Sequence, residues 1–404
     1  MSVSRVYSPM EDSQLLAAAV EKHAYGNVLD MGTGSGIQAI TAAKKKEVKL
    51  VVAADINNDA LKFAAAAAGK EGVRDKIRFM KSDLFRNVKG TFDTKGAFDT
   101  IIFNPPYLPQ DKGIADEAIY GGKHGYEVLQ KFIGDCSYYL ADNGIVLIVF
   151  SSKTNKQKVD EAIENSCLQF EELEQKNIFF ETLYTYLIMK SPLLQQLEKS
   201  GVENIKLFEK GNRGILYKGS YREKMVVVKA KRKESAAVAT IQNEINWLEK
   251  LNKKGIGPKL LFSSKEKDWF AYEFVDGQFI LDFIENCSAK ERIFSVIKQL
   301  LLQCRKLDEL KVNKEEMSRP QKHAIVNGSG KLTMIDFERC RRSQRPKNVT
   351  QLCQFLAKGH VNSLLRQKGI AIDRAELLAA AKEYKHKQNE ENFKRLEKAA
   401  FGGN

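Results

Sequence analysis

Within the first 109 residues, four strand-sized apolar segments each run into a glycine, a carboxylate or an amide at their C-terminal end: NVLDMGTGSG (27–36), LVVAADIN (50–57), KIRFMKSDLF (76–85) and FDTIIFNPPYLP (98–109). Near-continuous Val/Ile/Leu runs, spaced by helix-like stretches such as IQAITAAKKK (37–46), are what a parallel sheet buried on both faces demands. The spacing predicts a doubly wound α/β fold with a Rossmann-like sheet. In such a fold ligands enter the crevice outside the carboxyl ends of the strands.

The chemistry at those four ends is ordered. Asp30 precedes Gly32, Gly34 and Gly36 in a strand-to-helix turn, where a chain without Cβ atoms admits a ligand close to the backbone. Asp55, 19 residues after Gly36, is placed to accept hydrogen bonds from ribose hydroxyls. Asp83 closes the third strand, where a carboxylate meets an adenine amino group. An adenosyl cofactor satisfies all three. At the fourth end, Pro105 and Pro106 fix the backbone and remove donors, which leaves the Pro105 carbonyl free to accept. The Asn104 side chain supplies a second acceptor and Tyr107 a flat ring. Two acceptors and a ring suit a planar NH2 group presented to a methyl donor, either an adenine N6 or a glutamine amide.

With those residues in view, 7–190 resembles the S-adenosylmethionine-dependent methyltransferases of the HemK/PrmC type, which modify the glutamine of a GGQ motif in translation termination factors. The matching stretches are YSPMEDSQLL (7–16), VLDMGTGSG (28–36), ADINNDAL (54–61), SDLF (82–85), FNPPYLP (103–109) and YGGKHGYEVLQKFI (120–133). The resemblance implies a class I methyltransferase fold with Asn104, Pro105, Pro106 and Tyr107 as catalytic residues. It implies the short archaeal and eukaryotic form, a release factor as substrate and a small zinc-binding activator as partner. NPPY is shared with adenine-N6 methyltransferases, so a nucleic-acid substrate stands as the alternative.

The charge distribution separates the halves. The chain carries 65 Lys+Arg against 51 Asp+Glu, formally +14. Residues 1–192 hold 23 Lys+Arg and 25 Asp+Glu, net −2, and residues 193–404 hold 42 and 26, net +16. A boundary is expected near 192, where strand-like LYTYLIMK gives way to SPLLQQLEKSG. The near-neutral half is a poor match for gripping phosphates.

In the second half, FEKGNRGILYKGSYREKMVVVKAKR (208–232) reads as a glycine loop with Gly211 and Gly214, followed by a strand bearing Lys229. The run VATIQNEINWLEKLN supplies Glu244 on a helix docked by Ile241, Ile245 and Leu248, and KLTMIDFERC supplies a strand ending in Asp336. Lysine, helix glutamate and a metal-binding aspartate in that order are the parts of a kinase site. Residues 205–360 resemble an archaeal serine/threonine kinase family related to RIO-type and Bud-type atypical kinases. The resemblance implies an α+β kinase-like domain over 193–404 that binds ATP with Mg2+. His323 and Asp336 are then metal ligands, Lys229, Glu244 and the glycine loop hold nucleotide, and Glu338 replaces a glycine. Ser318 occupies the slot of the catalytic Asp, so Glu316 is the nearest carboxylate to act as base, and a nucleotide-sensing pseudokinase stands beside an active kinase. The stretch Arg339–Lys347, RCRRSQRPK, holds five cations and no acid and is a candidate RNA or ribosome contact. The tail 381–400, with Lys and Glu mixed at i,i+4 spacing, reads as a solvated helix.

Six cysteines without a CxxC pair, no basic-then-apolar leader and no apolar run near 18 residues predict a cytoplasmic protein with reduced thiols.

Overall fold

A computed structural model describes residues 9–91, 95–110, 119–211, 214–231 and 238–402. These fall into two units that part between Leu207 and Phe208, against the sequence expectation of 192/193. Tyr7, Ser8, Asn212, Arg213 and Arg232, which belong to motifs quoted above, lie outside the described residues. Among the described residues no helix is long and apolar enough to cross a membrane, and the six cysteines are unpaired.

The first unit begins with α1 (Glu11–His23), followed by β1 (Gly26–Met31), α2 (Ile37–Lys44), β2 (Val48–Asp55), α3 (Asn58–Lys70), β3 (Ile77–Lys81) and the single turn α4 (Val88–Thr91). Then come β4 (Phe98–Phe103), α5 (Glu127–Tyr139), β5 (Leu140–Ser151), α6 (Lys156–Asn165), β6 (Leu168–Ile178), β7 (Glu181–Lys190) and α7 (Pro192–Lys199). The strands form one seven-stranded sheet in the order β3-β2-β1-β4-β5-β7-β6. The first five pair in parallel, and β7 runs antiparallel to both β5 and β6. Val28, Leu29, Val51, Val52, Ile101 and Ile102 are fully buried, each stabilising the fold by about 1.5–3 kcal/mol through area removed from water. Strand order reverses between β1 and β4, which opens the crevice at the C-terminal ends of those two strands.

Glycines in the β1–α2 turn have different duties. Gly36, at φ +85°, packs on α3 so closely that an added Cβ would lie 2.9 Å from Ala64 Cβ. The Ala-rich run of α3 is therefore packing, with Ala60, Ala64 and Ala68 buried at helical spacing. Strand β3 stops at Lys81, two residues short of the expected Asp83. Ser82 N still donates to Asp55 O at 2.9 Å, and the chain then turns through Leu84 at φ +45°.

The division falls within β8 (Val202–Lys210); β8, β9 (Gly214–Tyr221), β10 (Lys224–Lys231), β11 (Leu260–Ser263) and β12 (Trp269–Glu273) form a five-stranded sheet in the order β11-β12-β10-β9-β8. Helix α8 (Val238–Leu251) lies between β10 and β11 in sequence and docks through Ile241, Ile245 and Leu248, all buried. The rest is β13 (Gln278–Phe279), α9 (Ile280–Asn286), α10 (Lys290–Glu309), β14 (Val312–Asn313), β15 (Ala324–Val326), β16 (Leu332–Met334), β17 (Arg341–Arg342), α11 (Asn348–Leu356), α12 (Gly359–Gln367), α13 (Arg374–His386) and α14 (Glu390–Phe401). Two expectations are corrected here. Strand β16 ends at Met334, not Asp336: Ile335 N still bonds His323 O at 2.9 Å in the β15–β16 register, and the chain then turns through Asp336 at φ +61°. The 381–400 tail is two helices, broken before the Asn389 cap, and its Tyr384, Phe393 and Leu396 are buried in the same core as α10 and α11. It is an integral layer and not a solvated arm.

Gly36→Ala should lower stability of the first unit by about 1–3 kcal/mol, from left-handed backbone strain plus the clash with α3. Urea unfolding of the single variant and of Gly36→Ala/Ala64→Gly should show partial recovery in the pair, and simple additivity would contradict the packing account.

Candidate active site and second charged cluster

A cavity of about 960 Å³ opens at the ends of β1, β2 and β4 in the first unit. Gly32, Gly34, Asp55, Asp83 and the Asn104–Tyr107 segment all line it. Asp55 stitches the wall together. Its Oδ2 accepts from Gly34 N at 2.9 Å and its Oδ1 from Asn57 N at 2.8 Å, and each oxygen keeps a second lone pair for a hydroxyl donor. Asp83 is half-exposed, with Lys131 Nζ 4.0 Å away.

Asp30 and Gly36 depart from the sequence expectation, since neither lines the cavity. Asp30 is buried, and its Oδ2 accepts from Thr33 Oγ1 at 2.7 Å and from Ala39 N at 3.1 Å. It ties the glycine turn to the first turn of α2. Burial pushes its carboxyl up to about 7, against the opposing hydrogen bonds of Thr33 and Ala39.

The NPPY segment is braced from three sides. Thr154 Oγ1 donates to Tyr107 O at 3.0 Å. The GGKHG stretch lies against it so tightly that a Cβ on Gly121 would stand 2.3 Å from Pro106 O, and one on Gly125 2.5 Å from Tyr107 O. That contact gives the two glycines a physical reason, because only bare backbone fits. The third brace is Asp12, which sequence reasoning missed as a site residue although it sits in the quoted YSPMEDS motif. Asp12 is buried, and its Oδ2 accepts from Asn104 Nδ2 at 3.0 Å and lies 3.4 Å from the Tyr107 hydroxyl. A carboxylate only accepts, so this bond fixes which way the Asn104 amide faces. The Asn104 Oδ1 is left buried and without a partner. Gln38, also missed, repeats the pattern. Its Nε2 donates to Ser13 O at 2.9 Å, and its Oε1 is a second buried acceptor with no partner on the cavity wall. Buried acceptors are seldom left unsatisfied without cause.

In the second unit the structure brings together Lys229, Glu244, Asp336 and Glu338. Lys229 Nζ lies 2.6 Å from Glu244 Oε2, 3.2 Å from Asp336 Oδ1 and 3.3 Å from Glu338 Oε2. Burial alone would lower the lysine pKa, but the three carboxylates carry it well above the usual value. Glu244 Oε1 also accepts from Phe337 N at 2.9 Å, which locks α8 to the chain after Asp336. Oxygens of Glu244, Asp336 and Glu338 lie within 4.8 Å of one another, and three carboxylates facing one ammonium leave an excess of negative charge that suits a hard divalent cation. Glu338 was read only as a replacement for glycine. His323 Nδ1 lies 3.4 Å from Asp336 Oδ2.

Glu316 is buried, with Oε2 3.4 Å from the fully buried Lys314 Nζ, which also donates to the Asp336 carbonyl. The ion pair engages Oε2, while Oε1 is buried without a partner. Gly211 N donates to Gly214 O at 3.0 Å across the β8–β9 turn, and Gly214 lies 3.6 Å from the Lys229 stem by its would-be Cβ. Of the basic stretch, Arg341 pairs with Glu315 at 2.9 Å, while Arg342, Arg345 and Lys347 line a groove of about 450 Å³.

Known proteins resemble the first unit. The model of the methyltransferase small domain matches residues 8–181. A Methanocaldococcus jannaschii protein named for protein N5-glutamine methyltransferase activity is 41 % identical over 158 residues, 38 % of this chain and 76 % of that one. A release factor glutamine methyltransferase of Chlorobaculum tepidum is 38 % identical over 101 residues, covering 24 % and 33 %. A ribosomal protein uL3 glutamine methyltransferase of Francisella tularensis is 32 % identical over 133 residues, covering 30 % and 40 %. The chain thus spans two-fifths or less of these two bacterial relatives.

Asp30 makes a pH prediction. Its folded value, about 7, lies above the unfolded value of about 4. The protonated form therefore contributes stability in full below about pH 4, and that contribution is lost as pH rises through 7. Against Asp30→Asn, which does not ionise, the wild-type melting temperature should fall across this window; parallel profiles would contradict the assignment.

Proposed function

The chain belongs, through residues 8–181, to the methyltransferases built on the small methyltransferase domain, and on that premise we propose that it methylates the side-chain amide nitrogen of a protein glutamine. The observation that carries this reading is the buried, unpartnered Asn104 Oδ1 on the cavity wall. A primary amide offers two N–H donors on a planar nitrogen. Asn104 Oδ1 and the Pro105 carbonyl accept them, and the Tyr107 ring sets the plane. Holding both hydrogens keeps electron density on a nitrogen whose lone pair is otherwise drawn into conjugation. Asp12 keeps Asn104 from rotating its own NH2 group into that place.

The residues present fit S-adenosylmethionine. Asp55 faces the cavity with free lone pairs for ribose hydroxyls, Gly34 has no Cβ to fill the space beside it, and Gln38 Oε1 is an acceptor for an ammonium group. When bound, the cofactor supplies an electrophilic methyl group. Relatives of this unit are named for glutamine methylation in proteins, one of them in release factors, and this supports the GGQ glutamine of a termination factor as the acceptor. Adenine N6 meets the same two acceptors, but the net charge of −2 over residues 1–192 favours a polypeptide.

For the second unit, the Lys229 cluster supports binding of a nucleoside triphosphate with Mg2+ in a kinase-like domain. In this reading Lys229 holds phosphate, and Asp336 with Glu338 holds the cation. Ser318 offers no carboxylate in the base position, which favours nucleotide sensing over phosphoryl transfer.

Labelled methyl groups should pass from S-adenosylmethionine to a GGQ-bearing release factor and not to its GGA variant; label in nucleic acid and none in protein would overturn the reading. Asn104→Ala should lower kcat by about 100-fold or more with cofactor Kd unchanged, while Asp12→Ala should cost about 10-fold by freeing the Asn104 amide. Calorimetry should detect ATP–Mg2+ binding that Lys229→Ala abolishes. Hydrolysis or phosphorylation surviving Asp336→Ala would place the metal elsewhere.

A further inference from the structure

The β6–β7 hairpin turns through two residues, Phe179 and Phe180, between the paired Ile178 and Glu181. They are 100 % and 91 % exposed, far above every other large apolar side chain described. Packing therefore does not account for them. Turn chemistry does not either: two-residue hairpin loops favour Asn-Gly or Gly-containing pairs with left-handed backbone, and neither phenylalanine takes a positive φ. The tip is firmly held at its base, with Glu181 bonded to Ser151 Oγ, Thr182 N to Ser152 Oγ at 3.1 Å, and Thr182 Oγ1 to Asn177 Oδ1 at 2.9 Å.

The same hairpin borders the cavity, because Glu181, the residue after Phe180, lines it alongside Asn104 and Tyr107. A macromolecule that inserts a side chain into this cavity passes the tip. The outer hairpin, EELEQKNIFFE (171–181), carries Glu171, Glu172, Glu174 and Glu181 against Lys176 alone. That charge repels phosphates and selects a polypeptide over a nucleic acid.

We propose that Phe179 and Phe180 form an aromatic fork that docks the polypeptide presenting the target glutamine, by inserting into an apolar hollow on that protein's surface. Paired aromatic side chains on a rigid support are characteristic of interface hot spots, since they bury much area while losing little conformational freedom. The proposal rests on the glutamine reading of the cavity and adds a docking element outside the reacting groups. The fork acts on capture and not on chemistry.

The test compares the full chain with Phe179→Ser/Phe180→Ser in steady-state methyl transfer to an intact GGQ-bearing release factor, with S-adenosylmethionine affinity as the folding control. The expected result is a KM raised at least about 10-fold, equivalent to about 1.4 kcal/mol, with kcat within about two-fold and cofactor affinity unchanged. Phe179→Leu/Phe180→Leu should recover most of the loss. An unchanged KM overturns the docking role while leaving the glutamine reading intact. A wild-type dimer that the double variant dissociates in sedimentation also overturns it, by assigning the fork to self-association. Absence of transfer by the wild type to any protein glutamine removes the premise itself.

Discussion

The hydrogen bond from Asn104 to Asp12 is the constraint on which the first unit's chemistry depends. It joins the first helix to the end of β4 across 92 residues of sequence, and it uses the donor side of an amide whose acceptor side is then left without a partner at the cavity wall. Everything around it keeps that geometry from relaxing. The two prolines stiffen the backbone beyond Asn104, Thr154 holds the Tyr107 carbonyl, and Gly121 and Gly125 lie flat against the same loop. A lone asparagine after a strand can rotate its amide; one pinned by a buried carboxylate presents a fixed acceptor before any ligand arrives. Preorganisation of this kind places the cost of orientation in the folding of the protein and not in the reaction.

The second unit is organised by charge at one point as well. Lys229 is surrounded by three carboxylates drawn from α8 and from the stretch after β16, and Asp336 holds a left-handed φ of +61°. Asn243 and Trp247 on α8 also donate to the carbonyls of Glu338 and Cys340 at 2.8–2.9 Å. Helix and loop thus form one block around the lysine. Glu338 adds a third acid beside Lys229, so the cluster carries an excess of negative charge. A divalent cation neutralises such an excess.

Much of this architecture is legible in the sequence because short Val/Ile-rich runs that stop at glycine, proline or a carboxylate read as buried strands. The glycine turn, the order of polar strand ends and the NPPY segment all follow from reading where each run stops. What escaped the sequence is the pairing of polar groups far apart in the chain. Nothing in the spacing of YSPMEDS announces that Asp12 reaches Asn104, and nothing near Gln38 announces an unpartnered oxygen. Asp30 and Gly36 were legible as parts of the turn, but their roles were not: one is consumed by Thr33 and Ala39, the other by Ala64. Strand ends at Lys81 and Met334 came two residues early, since backbone turns at Leu84 and Asp336 leave no mark in hydropathy. In the C-terminal tail the dense Lys/Glu pattern masked the sparse stripe of Tyr384, Phe393 and Leu396 that buries it.

The most direct measurement of the central claim is a crystal structure of the full chain with S-adenosylhomocysteine and a GGQ-containing peptide. The account predicts the glutamine amide nitrogen within about 3 Å of Asn104 Oδ1, with Asn104 Nδ2 still on Asp12 and the amide plane against Tyr107. A glutamine bound elsewhere, or an Asn104 that has left Asp12 to present its NH2 group, would contradict it.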